Sequence, residues 1–266
     1  MREKIKVLFL AADPFGDRAP LELGAEMRAI DHAIQQGSAR EALEFVSHFA
    51  TQSGDLQGAL LRHQPRVVHF AGHGDKPGVI WLEDEHGDRR TVDREALASL
   101  FRALDGGVRA VVLNGCHTLP VAQELSRVVD YAIGTRDRIP DDTAIGFSRA
   151  FYTALAFGKD VRQAFALAVS QLRVDGNDEA SVLELCVRPG ADPAPLLDEP
   201  APRADAAAEV VQTGRYRDIE GEQIDVIAED HHGPGAPAGS VTQDLHLSGL
   251  RSRGPVSIIA SRRTGG

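Results

Sequence analysis

The chain has 266 residues, 42% of them hydrophobic and 26% charged, with a mean hydropathy of −0.20. That composition fits a globular chain and excludes a disordered, fibrous or membrane-spanning one. The formal charge of −10, from 39 acidic against 29 basic side chains, and the lack of a dense basic stripe argue against a nucleic-acid partner. Cys116 and Cys186 are too few for a disulfide scaffold, so a reducing, cytoplasmic setting is expected. The basic start, Met1 to Lys6, precedes an apolar run, Val7 to Ala12, that Asp13-Pro14 closes too early for a secretory leader. No apolar run is long enough to span a bilayer.

In chain order, Ile5 to Leu10 reads as a first strand, and Leu23, Met27, Ile30 and Ile34 recur at helical spacing, with Gly37 as the expected C-cap. Leu43 to Phe49 is a second strand and Leu56 to Leu61 a helix core. Val67 to Phe70 is a third strand, ending at Ala71-Gly72-His73-Gly74. Val79 to Leu82 and Arg90 to Val92 flank His86-Gly87-Asp88 as a hairpin, after which Asp93 caps a helix running to Leu104. Ala110 to Leu113 is a strand that leads directly into Asn114-Gly115-Cys116-His117, and Tyr131 to Gly134 is another. Pro140-Asp141-Asp142 opens a helix closed by Gly158. Val161 to Leu172 is the last helix, and Val182 to Val187 a final strand.

Strands alternating with amphipathic helices predict an α/β domain, a mostly parallel sheet with helices on both faces, over residues 1–188. Residues 189–208, rich in Pro, Ala, Asp and Glu, read as a linker. Residues 209–266 form a Gly- and Pro-rich C-terminal tail with two β-like stretches, Gln223 to Ala228 and Val256 to Ala260, and no evident internal repeat. The tail's role is open.

Ligand crevices of parallel sheets lie beyond the carboxyl ends of the strands, and two such ends here carry reactive side chains, His73 and Cys116. Both are set among glycines, which let the backbone approach a substrate closely. A thiol needs a neighbouring base to become a nucleophile, and an imidazole can supply it. Each residue alone also fits a bland role, the cysteine as a small hydrophobe and the histidine as a hydrogen-bonded loop residue. A zinc cluster of His69, His73, Cys116 and His117 is disfavoured, because His69 should face away from Phe70 and no short ligand spacing exists. Neither metal nor cofactor is expected.

The segments Val67 to Gly74 and Val111 to Cys116 resemble the histidine and cysteine motifs of the CHAT domain family, a bacterial branch of the caspase, separase and legumain-like cysteine peptidases. Lys6 to Pro14, the helix start at Asp55-Leu56-Gln57, Tyr131 to Gly134 and the Phe151-Tyr152 helix look like further landmarks in family order, so the likeness covers about residues 4 to 187. It implies a caspase-hemoglobinase fold and peptide-bond hydrolysis. Cys116 would be the nucleophile, His73 the general acid and base, and the N–H groups of Gly74 and Cys116 the oxyanion hole. Gly115 and His117 stand where Ala and an aromatic are common in relatives. Asp141 sits where relatives carry an acid that would receive a basic P1 side chain, although a helix N-cap explains it equally. Arg136 and Arg138 would favour an acidic P1 if they reached the pocket. Asp142 fits a first-turn helix charge, and Trp81 either walls the cleft or packs the hairpin.

The expected function is that of an intracellular cysteine endopeptidase acting on protein or peptide substrates. The resemblance further implies bacterial defence or regulated cell death, with an activating protein partner. The alternative is a catalytically silent adaptor with the same fold, and the presence of both His73 and Cys116 favours the enzyme.

Overall fold

The computed structural model describes residues 4–14, 20–74, 77–104, 106–191, 194 and 196, and the strands within 210–264. Most of the expected linker, 189–208, lies outside the described residues. The chain divides into two compact units, Met1–Glu199 and Pro200–Gly266.

The first unit contains strands β1 (Ile5–Ala12), β2 (Leu43–His48), β3 (Val67–Gly72), β4 (Val79–Glu83), β5 (Arg89–Asp93), β6 (Ala110–Asn114), β7 (Tyr131–Thr135) and β8 (Leu183–Val187). Its helices are α1 (Leu23–Gln36), α2 (Leu56–His63), α3 (Arg94–Ala103), α4 (Leu119–Leu125), α5 (Asp141–Ala156) and α6 (Val161–Val174). Six strands make one sheet in the order β2-β1-β3-β6-β7-β8, parallel except for β8, while β4 and β5 pair as a separate antiparallel hairpin.

Side-chain alternation divides the core in two. Val7, Phe9 and Ala11 of β1, with Val67 and Ala71 of β3, pack under α1, α5 and α6 around Ile30, Phe147 and Phe151. Leu8, Leu10, Val68 and Phe70 face the other layer, against Leu60 of α2, Leu97 and Phe101 of α3 and Leu125 of α4. A sheet buried on both faces accounts for its nearly continuous apolar strands. Asp93 caps α3 by accepting from Ala96 N at 2.7 Å, as expected, and Asp160 does the same for α6 from Gln163 N at 2.8 Å.

Helix α4 was not evident from periodicity. At seven residues it is too short to show a repeat, yet the parallel β6–β7 pair requires a crossover, and Pro120 in its first turn and buried Val121, Ala122 and Leu125 supply one. Gly37 also has a different reason from the one expected. It follows α1 with φ −73°, so no left-handed cap is formed. A Cβ there would lie 2.3 Å from Ala156 Cβ, so the glycine is required by the close passage of α5.

The second unit overturns the expectation of no internal repeat. Val210–Arg217, Glu220–Gly221 and Ile224–His232 pair in parallel with Val241–Ser248, Arg251–Ser252 and Val256–Thr264, respectively. Val210 meets Val241, Glu220 meets Arg251 and Ile224 meets Val256, so each partner lies 31 or 32 residues further on. A constant offset with parallel pairing is the arrangement of two stacked solenoid coils. The repeat lies in spacing rather than identity, with Gln212 opposite Gln243 and Ile227-Ala228 opposite Ile259-Ala260 as the matches a sequence comparison could have used.

Candidate active site

Strands β3 and β6 are neighbours, with Ala71 paired to Asn114, so His73 and Cys116 emerge side by side from the carboxyl ends of the sheet. Both line one cavity, together with Glu26, Asn114 and Asp141. The two loops touch through their backbones. A Cβ on Gly74 would lie 2.1 Å from Cys116 O, and one on Gly115 would lie 2.4 Å from Gly72 O. The glycines flanking the reactive pair are therefore dictated by how tightly the strand ends meet.

His73 is held from β1. Its Nε2 lies 3.0 Å from Asp13 Oδ1, while Asp13 Oδ2 accepts from Leu21 N at 3.2 Å. An imidazole whose Nε2–H donates to a carboxylate keeps Nδ1 as its basic nitrogen. Asp13 was missed in the sequence, where it reads as the punctuation that ends β1. The ring of Trp81 stands 5.6 Å from the His73 ring and is 7% exposed, so Trp81 both packs the hairpin and walls the histidine.

The turn carrying Cys116 is clamped to β7. Thr135 Oγ1 donates to Gly115 O, and Thr118 Oγ1 reaches Leu113 O at 3.0 Å and Gly115 O at 3.2 Å. His117 sits in the left-handed region at φ 56°, with its N–H donating to Asp137 O at 3.2 Å. For a side chain with a Cβ that conformation costs roughly 1–2 kcal/mol, which the clamp sustains next to the cysteine.

Behind the cavity lies a buried polar cluster that sequence reasoning missed. Glu26 of α1 is 4% exposed, and its Oε1 accepts from Asn114 Nδ2, from Ser148 Oγ at 2.7 Å and from His69 Nε2 at 2.9 Å. His69 Nδ1 in turn accepts from the Tyr152 hydroxyl at 3.1 Å, whose pKa burial and the Glu26 charge raise well above 10. His69 thus faces away from Phe70, as expected, and both of its ring nitrogens are engaged in this cluster. The available signal was Glu26 itself, a charged residue on the apolar stripe of Leu23, Met27 and Ile30.

Asp141 is not the cap of α5. Pro140 occupies that position, and Asp141 Oδ2 instead accepts from Glu22 N at 3.0 Å, tying the start of α1 to the cavity rim. Asp142 is a first-turn charge, as expected. Arg136 pairs with Glu184, and Arg138 is exposed; neither lines the cavity. Cys186 lies on edge strand β8, and burial together with the nearby Glu184 charge pushes its thiol up to about 11, which suppresses the thiolate.

No helix among the described residues is long and apolar enough to cross a membrane. The chain is 23% identical over 175 residues to a Roc-COR-CHAT protease from an unknown prokaryotic organism, covering 63% of this chain and 16% of that protein. It is 19% identical over 170 residues to a probable protease of Gillisia limnaea, covering 62% of this chain and 30% of that protein. It therefore spans less than a third of either relative's length. The secreted C11 cysteine protease of Bacteroides thetaiotaomicron, solved with an irreversible peptide inhibitor, superposes with a TM-score of 0.50 at 12% identity, over 64% of this chain and 59% of that one. That likeness establishes a caspase-like fold. With the CHAT domain model matching residues 14–218, and the histidine and cysteine motifs at the ends of adjacent parallel strands, the chain belongs to the CHAT domain family.

Proposed function

We propose that this chain is a cysteine endopeptidase in which Cys116 attacks the scissile carbonyl and His73 moves the protons. The observation that carries this reading is the shared cavity of His73 and Cys116, with Asp13 occupying Nε2 of the imidazole and leaving Nδ1 for the thiol. In the first step Nδ1 takes the thiol proton and the sulfur adds to the carbonyl carbon, with negative charge collecting on the carbonyl oxygen. The N–H groups of Gly74 and Cys116 stabilise that oxyanion. Collapse expels the amine, which receives the proton from His73, and leaves a thioester. Water, deprotonated by His73, then adds to the thioester carbon; the C–S bond breaks, the carboxylic acid product leaves, and the proton held by His73 returns to the Cys116 sulfur. Asp13 is a positioning residue that fixes the tautomer and ring plane.

Asp141, at the cavity rim, receives a basic P1 side chain. Two further elements of the reading are supported by the family resemblance alone, a role in bacterial defence or regulated cell death and activation by a protein partner, while the cytoplasmic setting is supported by the two unpaired cysteines. The test is a peptide-library cleavage profile on the purified chain. Cys116→Ala and His73→Ala should each abolish cleavage, with the double variant no worse than either, because the two act as one unit. Full activity in Cys116→Ala would end the proposal.

A further inference from the structure

The second unit ends in open strand edges. Its two coils have strands of matching length, eight, two and nine residues in each, and each of its three sheets consists of two strands, one from either coil. Among the described residues, the first coil (210–232) and the second (241–264) therefore each keep one row of backbone N–H and C=O groups without a neighbouring strand. Such a row is a template for a further strand. A solenoid needs roughly three or more repeats to be stable, so two coils are an incomplete stack.

Charge decides what completes it. Residues 210–232 carry six acidic and two basic side chains, whereas residues 241–264 carry one acidic and four basic. The register sets Glu220 opposite Arg251 and Asp230 opposite Arg262. It also sets Val210 opposite Val241, Gln212 opposite Gln243, Val226 opposite Ile258 and Ile227 opposite Ile259. Acid thus meets base, apolar meets apolar and amide meets amide. A first coil laid on the free edge of another molecule's second coil repeats every one of these pairings. Two first coils laid together would instead oppose acidic to acidic, and like charges directly opposite destabilise a strand pair.

We propose that the second unit is a stacking module whose partner is a second copy of this chain, the first coil of one copy adding to the second coil of the next. The two edges are different surfaces, so each contact leaves one edge of either copy free, and a head-to-tail contact that does not close grows into a filament. Its strands lie across the axis with rungs about 4.7–4.8 Å apart. Every copy added carries one more Cys116 into the same assembly, which raises its local concentration. The inference is independent of the peptidase reading.

The test uses the full chain with Cys116→Ala, so that self-cleavage cannot remove the tail. Sedimentation at rising concentration should show growth to species of many copies with no limiting size, and fibre diffraction of the product a reflection near about 4.7 Å along the axis. Deleting residues 209–266 should abolish growth. Arg251→Glu with Arg262→Glu sets like charges opposite each other and should also abolish it. Adding Glu220→Arg and Asp230→Arg restores opposition, so the fourfold variant should assemble alone, yet neither seed the wild type nor be seeded by it. That mutual exclusion reads the contact between copies, since pairing confined to one chain would not produce it. If the fourfold variant does not assemble, wild-type growth and the deletion decide.

A single copy at every concentration, growth that stops at two copies, growth that survives the deletion, or cross-seeding between the wild type and the fourfold variant would overturn the proposal. None of these results bears on Cys116-dependent cleavage, which is measured separately on the chain with its cysteine intact.

Discussion

Gly115→Ala adds one methyl beside the cysteine, and the structure predicts that it is harmful. The added Cβ would sit 2.4 Å from Gly72 O, where ordinary contact begins at 3.4 Å, and Thr118 Cγ2 closes the far side at 3.6 Å. Either the β6 turn or the end of β3 must move by about 1 Å. Gly115 O is clamped by Thr118 and Thr135, so the strain passes to Gly72 and to His73 immediately after it. Overpacking of this size costs about 1–3 kcal/mol, which in a domain of this length lowers the melting midpoint by roughly 2–12 °C. A displacement of about 1 Å between base and nucleophile costs on the order of 100-fold in rate. Differential scanning calorimetry and the rate of Cys116 labelling by a peptidyl acyloxymethyl ketone measure the two effects. Unchanged melting together with a labelling rate within about threefold of wild type would refute the close-approach argument.

Two further outcomes are expected. Iodoacetamide at pH 8 should leave Cys186 essentially unmodified, since only about one thiol in a thousand is ionised when the pKa is about 11. Its labelling should rise about tenfold per pH unit, and mass spectrometry of tryptic peptides would expose a Cys186 already reactive at pH 8. Because folding raises that pKa above 9, the stabilisation linked to the protonated thiol is complete below pH 9 and declines as pH climbs towards 11. Deleting residues 209–266 should leave a folded domain that still reacts with the peptide probe, because every proposed site residue precedes residue 189 and Val256–Thr264 pairs with Ile224–His232. An insoluble truncation would show that the boundary is misplaced.

The sheet was legible because alternation in β1, β3 and β6 is a local property, and the same rule assigned His69 to the face opposite Phe70. His73 and Cys116 were legible because their glycine settings lie beside them in the chain. Asp13 and Glu26 were not, since each acquires its role only when β1 and α1 are brought against residues far along the chain. Asp141 carried two readings, an acid for a basic P1 and a helix cap, and the cap is excluded because Pro140 holds that position and the carboxylate reaches Glu22 N, 119 residues away in sequence. The tail's repeat escaped because parallel pairing constrains spacing far more than residue identity.

The reversed direction of β8 decides where the chain leaves the sheet. Val187 pairs with Tyr131 at the beginning of β7, and Arg188 N donates to Asp130 O at 3.0 Å, so the chain departs from the sheet at the edge remote from the ends that carry His73 and Cys116. Had this strand run parallel, its end, and the start of any continuation, would have opened at the same end of the sheet as the cavity. With entry and exit assigned to opposite ends of the sheet, whatever is joined after Arg188 can be lengthened or exchanged without its attachment point narrowing the approach to Cys116.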